Sequence, residues 1–200
     1  HKGPLRVQRL FHPEAPSGKA HCYLLHPPGG VVLGDDLSIS IEQRGGHALV
    51  TTPSAGRFYD VAAHAEAQRQ SVHLAVRDGV LEWLPQETIL FPGARARLDT
   101  HVDLAAAAHI AFWDVLVLGR PACGERFDRG SVMQQLSLWH DGRLLLAERL
   151  ELTAGDRLHR AAPGLHDAST IGIALFTAEP DEALLWSWLT ACNGEDVYGH

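Results

Sequence analysis

The stretch LLHPPGGVVLGDDLSISI, from Leu24 to Ile41, sets two kinds of backbone side by side. Leu37-Ser38-Ile39-Ser40-Ile41 alternates apolar with polar residues, as a strand with one buried face does. Just ahead of it, Pro27 and Pro28 lack the N–H groups a sheet ladder needs, and Gly29, Gly30 and Gly34 tolerate positive φ, so the chain must turn there. Two readings of the turn stay open. Either it is a plain connection, or Val31, Val32 and Leu33 press it inward and carry the carboxylates of Asp35 and Asp36 close to buried surface.

The same alternation recurs at Val72–Val76, Leu98–Leu104, Leu136–Leu138 and Leu150–Leu152. Denser apolar runs at His47–Thr52, Ile110–Leu118 and Ile171–Phe176 predict strands covered on both faces. Arg44-Gly45-Gly46, Arg77-Asp78-Gly79, Phe91-Pro92-Gly93 and His140–Arg143 supply turn chemistry between them. Short strands at close spacing predict a mainly β domain of stacked sheets. Ala62–Gln70 is left as strand or irregular. Asp181–Cys192 follows Pro180, opens with acidic residues and places Leu184, Leu185, Trp188 and Leu189 on one face, which predicts a helix. No fixed-length repeat is evident.

Two hundred residues, 46% of them hydrophobic and 20% charged, describe one ordinary globular domain. A net charge of −7, with only 17 scattered Lys and Arg, argues against a nucleic-acid surface. No apolar run approaches the roughly 20 residues of a membrane span, and no secretory leader pattern opens the chain, so a cytoplasmic location is expected. Cys22, Cys123 and Cys192 are far apart and outside C-x-x-C spacing, which predicts reduced, largely buried thiols. The chain begins at His1 within a strand-like phrase, and a piece of a longer polypeptide is expected.

Thirteen His residues raise the question of a metal, yet none stand in H-x-H or H-E-x-x-H spacing. Ligands gathered from distant strands would not show in the sequence. The glycines of the opening stretch do not make a phosphate cradle, because two acids and a strand follow Gly34 where a nucleotide loop needs Lys or a helix. No G-x-S-x-G motif marks a serine nucleophile. What remains are acids set against bulky apolar residues: Asp35, Glu82 before Trp83, Asp114 after Trp113, and Glu148 before Arg149. Each either turns to solvent or into an ion pair, or points inward, where such groups suit acid/base hydrolysis or a weak path for a divalent cation.

The phrases GPLRVQRLFHPE, HCYLLHPPGGVVLGDDLSI, LVTTPSAGRFY, LEWLPQETILFPGARARL, VLVLGRPACGERF and DGRLLLAERLEL occur in an order that resembles the urease accessory protein UreD family, also called UreH. The resemblance runs collinearly from about Gly3 to Thr153 and fades after Leu158. It implies a β-helix-like stack of short strands with few helices, forming a single UreD-type domain over residues 1–200 that lacks the family's terminal segments. It implies a non-enzymatic urease maturation factor that complexes with UreF and, through it, the GTPase UreG, docks on apo-urease and conducts nickel through an internal passage. On this resemblance Asp35, Glu82, Asp114 and Glu148 become the acids of the passage. Pro27, Pro28, Gly29, Gly30 and Gly34 form the loop that shapes it, and nickel passes in transit with no tightly bound metal or cofactor. The alternatives are a module that braces UreF or urease without touching metal, and a β-fold hydrolase.

Overall fold

A computed structural model describes residues 3–13, 18–61 and 66–178. Its strands make one twelve-stranded sheet, folded into three walls around a common interior. Two strands create the folding, β3 (Asp36–Thr51) and β5 (Gln68–Trp83), which follow β1 (Arg6–Val7) and β2 (Ala20–Leu25) and are long enough to belong to two walls each. Their first halves run parallel, from Asp36 beside Arg69 to Gln43 beside Val76. That first wall continues into β7 (Arg95–Leu104) and β10 (Ser131–His140), both parallel, and ends at β11 (Arg143–Thr153), antiparallel to β10.

The second halves, His47–Val50 against Val80–Trp83, form the second wall. On it β2 lies parallel on one side, β8 (Ala108–Arg120) lies parallel on the other, and β12 (Thr170–Phe176) closes antiparallel on β8. The third wall is narrow: β4 (Gly56–Phe58), β6 (Thr88–Leu90) and the Leu116–Leu118 end of β8, all parallel. Val31 extends it by a parallel bridge to Phe58. The chain thus climbs in successive coils, in a β-helix-like arrangement. A short antiparallel pairing of β9 (Glu125–Arg126) with β8 and a four-residue helix α1 (Arg157–Arg160) complete the described elements.

Arg44-Gly45-Gly46 and Arg77-Asp78-Gly79, expected as strand-ending turns, are corners within continuous strands. Gly45, Gly46 and Gly79 have φ of +96°, +71° and +80°, and the pairing steps from Arg44 beside Asp78 to His47 beside Val80. A Cβ on Gly79 would lie 2.2 Å from the Gly46 carbonyl oxygen. The two corners therefore stack backbone on backbone, which only glycine permits. The local chemistry of such a corner equals that of a hairpin turn. The outcome differs because the next strand segment pairs with the following coil rather than folding back. At Asp141-Gly142, with φ of +50° and +73°, the expected hairpin between β10 and β11 does form.

The interior holds two apolar clusters. One gathers Val72, Leu74, Val76, Leu81, Trp83, Val102, Leu104, Ile110 and Phe112, and the other gathers Leu37, Phe58, Leu90, Leu98, Leu116, Leu118 and Val132. Gln68, fully buried, ties three coils together: its Nε2 donates to the carbonyls of Val31 (2.7 Å) and Tyr59 (3.0 Å), and its Oε1 accepts from the Arg95 amide (3.1 Å).

Two further expectations change, and one falls outside the described residues. Of Val31, Val32 and Leu33, only Val31 is buried, because only Val31 joins the third wall; Val32 and Leu33 are exposed. Cys22 is buried, but Cys123 is exposed, since it ends the single 3₁₀ turn Pro121–Cys123 outside the walls. The expected helix Asp181–Cys192 and the third cysteine, Cys192, lie outside the described residues.

Three substitutions test this architecture by chemical denaturation. Gly79→Ala should cost more than about 2 kcal/mol, combining the left-handed backbone with a clash against backbone. Gly142→Ala, at a similar φ but with nothing within 4 Å of the added Cβ, should cost only about 1–2 kcal/mol. Gln68→Leu, similar in volume, should cost about 2–3 kcal/mol because the Val31 and Tyr59 carbonyls and the Arg95 amide each lose a hydrogen bond.

Candidate functional site

Between the two apolar clusters the interior turns polar. On β8 the inward-facing positions are Ile110, Phe112, Asp114, Leu116 and Leu118, all but Asp114 fully apolar and buried. The Ile110 and Phe112 pair belongs to one cluster and the Leu116 and Leu118 pair to the other, so Asp114 stands at the gap. Facing it from β10, Gln134 interrupts the buried series Val132, Leu136, Leu138 in the same way. The Gln134 Nε2 donates to Asp114 Oδ2 at 2.8 Å. Burial pushes the Asp114 carboxyl above the usual carboxylate range, and the Gln134 hydrogen bond only partly opposes it.

Glu148 lies one strand further along the same wall. Its register partner is Leu136, and Gln134 is its diagonal neighbour. By alternation it shares the core-side face of β11 with Leu146, Leu150 and Leu152, yet it is exposed, β11 being the outermost strand of its wall among the described residues. Arg149, on the other face, pairs with Glu151 at 2.7 Å. Gln70 and Thr100, half-buried on the core-side faces of β5 and β7, continue the polar belt between the clusters.

Asp35 and Glu82 sit elsewhere. The loop of Pro27, Pro28, Gly29, Gly30 and Gly34 turns tightly, with the Gly29 amide on the His26 carbonyl (2.9 Å) and φ near +80° at Gly29 and Gly34. Gly30 is packed against the Tyr59 ring, where a Cβ would not fit. Asp35 closes this loop: its Oδ2 accepts the Val32 amide at 2.9 Å, while its own carbonyl accepts the Arg69 amide at 3.0 Å and so holds the loop to β5. Its charge also partly opposes the burial that lowers the pKa of His26. Asp36 is exposed.

Glu82 lies between the buried Leu81 and Trp83 and so faces outward from the second wall. Its Oε1 accepts from Lys19 Nζ at 2.8 Å and meets His47 Nε2 at 2.6 Å. Burial would raise this carboxyl, but Lys19 and His47 together bring it below its ordinary range. Of the four acids, then, the fold brings Asp114 and Glu148 toward one polar belt and holds Asp35 and Glu82 in separate surface contacts. Gln134 and Gln68 were not singled out from the sequence. Gln134 was legible as a polar residue breaking the apolar alternation of Val132, Leu136 and Leu138, while the role of Gln68 depends on coils remote in sequence.

Comparison with known proteins gives these features a family. The model of the UreD urease accessory protein family matches residues 1–197, well past Leu158, where the recognisable phrases stop. Similar proteins include urease accessory protein UreD of Saccharophagus degradans, 49% identical over 172 residues, covering 85% of this chain and 58% of the relative. That of Alkalilimnicola ehrlichii is 45% identical over 182 residues (90% and 61%), and that of Nitrosococcus oceani is 42% identical over 202 residues (100% and 66%). The chain therefore spans about three-fifths of the length of these curated relatives. With a family match along almost its whole length and relatives at these identities, the chain belongs to the UreD urease accessory protein family.

Proposed function

We propose that the protein is a urease maturation factor without catalytic activity of its own, which assembles with UreF and, through it, UreG, docks on apo-urease and gives nickel a polar route through its interior. Family membership supports the accessory role. The observation that carries the route is the Asp114–Gln134 pair set between two apolar clusters. Buried polar groups across a packed core are costly unless satisfied, and here Gln134 donates to Asp114.

In this reading Asp114 is the central acid. Burial disfavours the charged form of its carboxyl, and an arriving cation would favour it. Glu148, exposed at the end of the belt, is the acid nearest solvent. Carboxylate and amide oxygens retain nickel weakly, which suits a path along which the metal must move on. Asp35 and Glu82 act at a distance from this belt, the first by fixing the loop that completes the third wall and the second by joining Lys19 and His47 on the second.

The experiment separates assembly from delivery. Asp114→Asn keeps the size of the side chain and a hydrogen-bond acceptor for Gln134 while removing the charge. Complexes carrying Asp114→Asn or Glu148→Ala should form with UreF and UreG in normal yield, judged by pull-down. Nickel bound by urease matured with them should fall about tenfold, equivalent to about 1.4 kcal/mol. Asp36→Ala should match the wild type. Normal nickel content with Asp114→Asn would leave the protein a brace for its partners and nothing more.

A further inference from the structure

The outer face of the first wall carries an arrangement that the interior route does not use. One rung there reads Ser40, His73, His101, Ser137 across β3, β5, β7 and β10, each residue in direct register with the next. Their sequence neighbours Val72, Leu74 and Val102 are buried, so this rung faces away from the core. It crosses a groove of about 580 Å³, with Ser38 and Ser71 on one side. The parallel pairing sets the two histidines side by side, with ring centroids 5.0 Å apart and planes inclined at 53°.

We propose that His73 and His101 form a two-imidazole site for a divalent first-row transition metal on this outer face. At a metal–nitrogen distance of about 2.1 Å each ring centre sits about 3.2 Å from a shared ion, so two imidazoles bound at about 100° have centres about 5 Å apart. The observed separation meets that requirement without moving either strand. His101 Nδ1 lies 3.0 Å from Ser137 Oγ. Such a contact orients a ligating ring and leaves Nε2 for the metal.

Of the two acids lining this groove, Asp99 pairs with Arg97 at 2.8 Å and Glu148 stands on its β11 side; Asp103, next along β7, pairs with Arg77 at 2.7 Å. Among the described residues no group of three or more His, Cys, Asp and Glu stands ready for a metal. The remaining coordination positions thus fall to water or to a donor from another molecule, which makes the site open and exchangeable. Imidazole donors favour nickel, copper and zinc over magnesium and calcium. The site lies across the wall from Asp114 and Gln134 and does not depend on whether those residues conduct nickel.

The test is calorimetric titration of the protein, purified without a polyhistidine tag, with nickel(II) chloride and separately with magnesium chloride. Wild-type protein should bind nickel and not magnesium. His73→Asn and His101→Asn should each weaken the nickel site at least about tenfold, whereas His109→Asn, at an exposed position on β8, should not. Ser40→His places a third imidazole on the same rung and should tighten binding about tenfold, a gain that loss of folding cannot imitate. Unchanged nickel binding in either His73→Asn or His101→Asn, or no tightening by Ser40→His, would overturn the assignment.

Discussion

The contact between Gly79 and the Gly45-Gly46 corner governs this molecule. Where the backbones of β3 and β5 bend, one lies directly on the other, with no room for a Cβ at Gly79. The bend passes each strand from the first wall to the second while its pairing to the next coil resumes beyond it. The alternation on either side then decides which residues meet in the middle. Leu74, Val76 and Leu81 come to one interior because the corner turns both halves of β5 around the same axis. Gln68 finishes the arrangement at the start of its coil, where the walls meet and its side chain bonds backbone groups of Val31, Tyr59 and Arg95.

A core enclosed by three walls is wider than the gap between two packed sheets, and its contents need not be uniform along its breadth. The apolar residues gather at two places, and the residues between them are an acid, two amides and a hydroxyl. The opposite side of the first wall shows the same geometry serving other chemistry. Parallel, in-register strands bring like positions of successive coils together, so one face stacks Val72 beside Thr100 and the next residue stacks His73 beside His101. Both polar features are products of register rather than of local sequence.

That dependence explains what could be read beforehand. Alternation at Leu37–Ile41 and Val72–Val76 points to strands, and the apolar density of Ile110–Leu118 to one covered on both faces; all are strands in the fold, but the outward positions Ala111, Trp113, Val115 and Val117 are only half-buried. The same density concealed the direction of Asp114, because every neighbour is apolar and the parity of the strand cannot be seen from within. Turn chemistry at Gly45-Gly46 and Gly79 was visible, but a corner and a hairpin look alike until the pairing partner is known. The coils escaped detection as a repeat because they begin at unevenly spaced residues, Asp36, Gln68 and Arg95. Asp35 was legible as a loop acid, whereas its bond to the Val32 amide follows from the geometry of the Pro-Pro-Gly-Gly turn.

The order of the coils in space is also their order in the chain, from β3 through β5 to β7 and β10. Every parallel pairing joins segments a whole coil apart, so chain closure must precede contact, which slows spontaneous folding from a denatured chain. A chain emerging from the ribosome meets a different problem, since each new coil finds the previous one already in place as a template. The hazard falls at the end of this sequence. β10 presents a bare parallel edge until the Asp141-Gly142 hairpin brings β11 back across it, and in that interval the growing wall is open to pairing with any other unfinished chain.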